Sequence, residues 1–229
     1  MTIVLERGKH RRLEEGMCLL EAVAFIAGED FSDEPKCVSP VLAEFGRTLN
    51  DFLPDGARQR LVRLIPKLVG TIDPEQDQRD GLRCAHWLAA HWLPAWLDLV
   101  PELESHATAL RAIPAPELWS DLEKWVDTVD SAASATSIAR GSDGVSLTKS
   151  YSTLVFDTRR PAVHAVKSAL GYLGYDGEFT TDTTTDAVFI SRDACEAAQT
   201  LGRPLLPTII RLEQDSINLF TELVEGRHK

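Results

Sequence analysis

Cys18-Leu-Leu-Glu-Ala-Val-Ala-Phe-Ile-Ala-Gly-Glu-Asp-Phe-Ser-Asp-Glu-Pro-Lys-Cys-Val-Ser-Pro-Val-Leu42 runs from an almost wholly apolar segment, through an acidic turn, into a second apolar start. Only Glu21 is polar between Met17 and Ala27. A helix with so little solvated face belongs in the middle of a bundle. Gly28 stands just past its last turn, where a left-handed backbone costs little. Asp30, Ser32, Asp33 and Pro35 make a turn-rich loop, and Ser39-Pro40 gives a cap followed by proline at the first helical position. The helix so started runs to about Leu53. Val41, Leu42, Phe45, Leu49, Phe52 and Leu53 fall on one stripe of it, and Glu44, Arg47, Thr48 and Asp51 on the other.

Helix signals recur downstream. Asp55 is placed to cap a helix bearing Leu61, Leu64, Ile65 and Leu68, which Pro66 should bend or break near its end. Asp73-Pro74-Glu75 opens a long helix that turns apolar on all sides after Leu82, carries Trp87, Trp92 and Trp96, and is kinked by Pro94. After Pro116, the residues Leu118, Leu122, Trp125, Val129 and Ala133 repeat at the spacing of one buried face. The glycine- and serine-rich stretch 140–150 is an internal boundary. Beyond it, 151–156 and 187–191 are candidates for a strand pair, and helices are expected elsewhere, the last over 204–224. The expected fold is mainly α, a multi-helix bundle with at most one small β pairing in the C-terminal third. It divides into a basic arm (1–12), a helical core (13–139), the loop (140–150) and a C-terminal helical lobe (151–229) packed on the core.

A chain of 229 residues with 44% hydrophobic content buries a sizeable core. Its net charge of −11 argues against nucleic acid as a partner, since phosphate contacts need clustered Lys and Arg. The exception is local. Residues 1–12 hold Arg7, Lys9, Arg11 and Arg12 against Glu6, so this arm carries +3 and the remainder −14. Such an arm is expected to be a partly ordered, solvated terminus, or else to touch an acidic surface. The apolar run 17–27 is too short to span a bilayer. Cys18, Cys37, Cys84 and Cys195 are widely spaced, as suits reduced thiols in a cytoplasmic protein.

The pattern Cys18-x-x-Glu21-Ala-Val, then Ala27-Gly-Glu29-x-x-Ser32-Asp33-x-Pro35-x-Cys37-Val-x-Pro40-Val-Leu42, then Asn50-Asp51, resembles the opening of a family of uncharacterised proteins encoded by actinobacteria and their phages. Leu206-Pro-Thr-Ile-Ile-Arg-Leu-Glu-Gln-Asp-Ser-Ile-Asn-Leu-Phe220 is similar to that family's closing helix. The family's middle often carries alanine-rich, tryptophan-containing short repeats, and this sequence departs from them between Arg140 and Leu201. The resemblance implies a helical fold and a soluble intracellular protein, and it brings no activity with it.

Three groups of residues carry possible chemistry. Glu21, Glu29, Asp30 and Asp33, with Asp51, form an acidic constellation that would hold a divalent cation through oxygen ligands, as in metal-dependent hydrolases of nucleotides or phosphoesters. Most of them lie in a loop, however, where capping, turn hydrogen bonds and surface charge are competing roles. A buried Glu21 needs donors or a cation. Cys37 precedes a helix start whose amides lower a thiol pKa, an effect its acidic neighbours oppose. Cys84, His86 and His91 do not share a helix face, so they make no zinc motif. Trp96 and Trp119 are the aromatic anchors proposed for a partner, against core filling as their other role. No phosphate-binding loop, dinucleotide glycine pattern or nucleophile elbow is present, no metal site is assigned and no cofactor is expected. The expected function is non-enzymatic: protein binding, self-association or assembly in a bacterial or phage system, without nucleic-acid or membrane contact. The alternative is the metal-dependent hydrolase acting through Glu21–Asp33.

Overall fold

The computed structural model describes residues 2–98, 101–125, 127–129, 131–132, 135 and 206–228. The protein is mainly α and multi-helix, and no strand occurs among the described residues. The loop expected at 140–150 and the strand pair expected from 151–156 and 187–191 lie outside them. The chain divides into two compact units: Met1–Asp80 with Glu213–Lys229, and Gly81–Leu212.

In the first unit, α1 (Leu19–Ala27) begins with a capping box in which Cys18 takes the place usual for a hydroxyl residue and Glu21 reaches back to the Cys18 N–H. It ends at Gly28, in the left-handed region at φ 73°. Leu19 to Ala24 are all buried, as a central helix requires. The last turn departs from that expectation: Phe25 is 44% and Ile26 48% exposed. α1 packs on α2 (Pro40–Phe52) and α4 (Ile65–Leu68). At 1.5 Å per residue α4 is only about 6 Å long, too short to cover all of α1.

Ser39 caps α2, its hydroxyl accepting from the Leu42 N–H at 3.3 Å and donating to Asp77 Oδ1 at 2.5 Å. Gly46 lies where α2 meets α1 and the closing helix, α8 (Leu206–Gly226). A Cβ there would stand 2.9 Å from Phe220 Cζ and 3.1 Å from Leu19 Cδ2. Beside it the Phe45 and Phe220 rings meet edge to face with centroids 5.3 Å apart. Gly46→Ala is therefore expected to lower stability by about 1–3 kcal/mol through overpacking, net of a helix-propensity gain of about 1 kcal/mol. Urea denaturation measures it, and a stabilised variant would show that Phe220 yields easily.

Past α2, Asp55 is not a cap but the first residue of α3 (Asp55–Arg58), where its carboxylate takes the Arg58 guanidinium at 2.8 Å. Arg58 is buried and closes the end of α2, donating to the Asn50 carbonyl at 2.6 Å and the Leu53 carbonyl at 2.8 Å. A 3₁₀ run, Gln59–Leu64, then joins α3 to α4. Pro66, at the start of α4, has no N–H and crowds the carbonyl four residues back, so one continuous α-helix from 55 to 68 is ruled out. α5 (Pro74–Trp87) starts as expected, with Asp73 Oδ1 accepting from the N–H groups of Glu75 and Gln76 at 3.0 Å each.

In the second unit α5 passes into a π-helical turn, Leu88–Trp92, and then α6 (Leu93–Leu97), which packs on α7 (Glu104–Arg111). The widened turn falls just before Pro94, which cannot donate to the preceding turn, so the kink takes this form. Leu88, Ala89, Trp92, Leu93 and Leu97 are buried. The helix expected after Pro116 opens as a 3₁₀ run, Trp119–Trp125, while residues 127–129, 131, 132 and 135 are α-helical and Val129 is buried as expected. With three residues per turn, Leu122 and Trp125 share the buried face. Leu118, expected on that face, stands four residues before Leu122 and is 64% exposed.

Candidate functional site

The N-terminal arm, α1 and the 29–37 loop gather most of the residues to which the sequence assigns chemistry. Glu21 is fully buried. Its Oε1 accepts from the His10 N–H at 2.6 Å, and its Oε2 accepts from the Cys18 N–H at 2.7 Å and faces His10 Nδ1 at 2.9 Å. Two backbone N–H donors and a ring nitrogen thus surround this carboxyl group, two of the three from one residue of the arm. The donors that a buried Glu21 calls for come from His10 and from the start of its own helix.

Hydrogen bonds continue along the arm, so its backbone is ordered, which corrects the expectation of a partly ordered terminus, while Arg7, Arg11 and Arg12 stay solvated. Leu5 is buried, and its N–H and carbonyl both pair with the Gln59 side chain, at 2.9 and 2.8 Å. The Glu6 N–H donates to the Met17 carbonyl at 2.9 Å, and Asn50 Nδ2 donates to the Glu6 carbonyl at 2.9 Å. The Gly8 N–H donates to Asp51 Oδ1 at 2.8 Å. Asn50 and Asp51, side by side on α2, therefore hold the arm, and Asn50 Oδ1 also accepts the Leu19 N–H at 3.1 Å. Gly16, at φ 123°, lies under the arm: a Cβ there would come within 2.8 Å of the Glu6 carboxyl and 3.0 Å of His10 Nε2.

The remaining acidic residues are engaged separately. Asp33 is buried to 8% exposure, with Lys9 Nζ 2.5 Å from its Oδ1 and Arg47 Nε 3.7 Å from its Oδ2. Glu29 accepts the Lys36 N–H at 2.6 Å and the Cys37 thiol, and these bonds hold its carboxyl below the usual carboxylate range. Asp30 is exposed. No group of three or more His, Cys, Asp or Glu side chains among the described residues converges as a metal site. His86 Nε2 lies 3.0 Å from the Ile113 carbonyl and its ring is against Trp125, while Cys84 is buried and His91 exposed.

Burial, and then the bond to Glu29, push the Cys37 thiol up from its ordinary value, opposite to what a nucleophile needs. Burial pushes Cys18 up to about 12. A raised pKa keeps the thiol protonated at pH values where an unfolded cysteine, near pKa 8.5, would ionise. At about pH 8.5, then, iodoacetamide should label Cys37 more slowly in the native protein than after unfolding, and Cys18 only after unfolding. Peptide mass spectrometry reads both, and rapid native labelling of Cys37 would mark an activated thiol.

A second polar cluster gave no signal in the sequence. Asp80 is fully buried, and Arg227, its side chain 3% exposed, donates to Asp80 Oδ2 at 2.5 Å, to Asp77 Oδ1 at 2.6 Å and to the Thr71 carbonyl at 2.6 Å. Gln76 donates to Asp80 Oδ1 at 2.8 Å, and the Ser39 hydroxyl to Asp77 Oδ1. Every charge in the cluster is met, which marks it as structural.

Of the tryptophans, Trp92 and Trp125 are core residues and Trp87 is half-buried against Trp92. Trp96 belongs to α6 and Trp119 to the 3₁₀ run, but their side chains lie outside the described residues. No helix among the described residues is long and apolar enough to cross a membrane. No family model, curated protein or solved structure matches the chain.

Proposed function

We propose that this chain is a non-enzymatic protein-binding or assembly component of a bacterial or phage system, working in the cytoplasm. The observation that carries the reading is the pair Phe25 and Ile26, 44% and 48% exposed at the end of a helix that is otherwise core. The end of α1 is tied to a third apolar residue through a short chain of bonds. Glu29 N–H donates to the Ala24 carbonyl, Glu29 accepts from Lys36, and the Cys37 carbonyl accepts from Gly70 and Thr71. Ile72, 57% exposed, follows directly. Large apolar side chains left in water on a compact unit are the usual material of a binding surface.

The acidic residues offer less to a hydrolase. Glu21 is enclosed by donors and Asp33 by cations, so neither has an open coordination position to offer a metal. The unbridged thiols of Cys18 and Cys37 suit a reducing compartment.

Light scattering after size exclusion, and pull-down followed by reconstitution with the purified partner, test the proposal. The Phe25→Glu/Ile26→Glu double variant, first shown to fold by circular dichroism, should lose the complex. Trp96→Ala and Trp119→Ala test the aromatic anchors in the same assay. If the wild-type protein forms no complex with itself or a partner, yet hydrolyses a nucleotide in the presence of magnesium or manganese, the hydrolase reading takes its place.

A further inference from the structure

The arm is fixed along its backbone but not at its tips. From Leu5 to Arg11 its main chain is bonded to Gln59, Met17, Asn50, Asp51, Glu21 and Glu15. Arg7, Arg11 and Arg12 are all exposed, and among the described residues their guanidinium groups make no hydrogen bond or ion pair. Most other basic residues of this unit behave differently. Lys9 pairs with Asp33, Arg47 with Glu44 and Asp33, Arg58 with Asp55, Lys67 with Glu225, and Arg227 with Asp77 and Asp80. In a chain with 35 acidic and 24 basic residues, three unpaired arginines within six positions stand out. The acidic groups beside them form no ion pair with them: Glu15 takes the Arg11 N–H, Glu6 lies 3.8 Å from His10 Nε2, and Glu14 is exposed.

We propose that this arm is a docking site for a short acidic segment of a partner protein, held by Arg7, Arg11 and Arg12. Arginine's planar fork matches carboxylates two bonds at a time, and a backbone already fixed lowers the ordering cost of binding. Arg7 and Arg12 stand five positions apart, at most about 18 Å of chain, which suits a few extended residues of the partner. Charge limits how large the ligand can be. The rest of the chain carries −14, and at physiological salt the arm's field reaches only about 8 Å. A short acidic peptide can stay within that reach, whereas a nucleic acid would carry its charge onto the repelling body. This site shares no residue with the Phe25–Ile26 surface and does not depend on it.

Fluorescence anisotropy with a labelled octa-glutamate peptide tests the site in the full chain, with a single-stranded octanucleotide carrying the same label as the competing ligand. At about 50 mM salt the peptide should bind, and the Arg7→Ala/Arg11→Ala/Arg12→Ala variant should bind about tenfold more weakly, as three exposed ion pairs would give. Binding should fade at about 0.5 M salt. The corresponding triple Lys variant should bind with intermediate strength, and Phe25→Glu/Ile26→Glu should bind the peptide like wild type. If the triple Ala variant does not fold, Arg7→Ala and Arg12→Ala singly should each weaken binding. Equal binding by wild type and the arginine variants overturns the proposal. So does tighter binding of the octanucleotide than of the peptide, which would make the arm a nucleic-acid contact.

Discussion

Arg227→Ala is expected to cost about 3–5 kcal/mol, the scale of removing one partner from a buried ion pair. The guanidinium answers three acceptors in the first unit: Asp80, Asp77 and the Thr71 carbonyl. Without it Asp80, at 0% exposure, keeps only the Gln76 amide, and the Thr71 carbonyl is left without that donor. Asp77 is less affected because Ser39 still donates to it. The cost therefore arises mainly from one stranded carboxylate, and that can be tested. Adding Asp80→Asn to the Ala variant should recover part of the loss, a coupling that a double-mutant cycle measures. Arg227→Lys should recover less than full stability, since a point charge cannot meet three acceptors set around a planar fork. A loss under about 1 kcal/mol for Arg227→Ala would show that water enters and solvates the cluster.

That cluster shows why part of this molecule is legible in its sequence and part is not. Signals carried within a few residues read correctly. Ser39-Pro40 starts α2, Asp73-Pro74 starts α5, and Gly28 ends α1. The first two pair a side chain with an amide two or three positions on, and Gly28 sends its own N–H back to the Ala24 and Phe25 carbonyls, so each bond follows from the local chain. Arg227 and Asp80 stand 147 positions apart, and Leu5 and Gln59 54 apart. Nothing in either neighbourhood specifies the partner.

Periodicity fails differently at Leu118, which lies before the 3₁₀ run begins and is exposed, while Leu122, Trp125 and Val129 of the same stripe are buried. At Phe25 and Ile26 the apolar pattern is real, but burial depends on neighbouring elements, and these leave the last turn of α1 exposed. The acidic constellation was legible as composition and not as geometry. Glu21, Glu29 and Asp33 are close in sequence, yet each bonds a different partner: His10, Lys36 and Lys9.

Glu21→Gln separates the structural role of this residue from a catalytic one. The carboxyl group accepts from two backbone N–H groups and faces a ring nitrogen, with donors on both oxygens. A carboxamide has one acceptor oxygen and one NH₂ group, so either orientation sets a donor against a donor inside a fully buried site. Losing a charge-assisted bond and leaving an N–H unpaired should together cost about 2–4 kcal/mol. The two sides of the bond should not suffer equally. Cys18 belongs to α1, which is packed on α2 and α4, while His10 belongs to an arm with one buried anchor, Leu5, that is otherwise held by hydrogen bonds. The arm should yield first. Limited trypsin digestion should then cut after Arg7, Arg11 and Arg12 sooner in the variant than in wild type, and the His10 amide should lose its protection from hydrogen exchange before the amides of α1 do. A variant with wild-type melting and wild-type trypsin resistance would contradict this. If that variant had also lost a hydrolytic activity present in the wild type, Glu21 would be a catalytic group and its hydrogen bonds to the arm incidental.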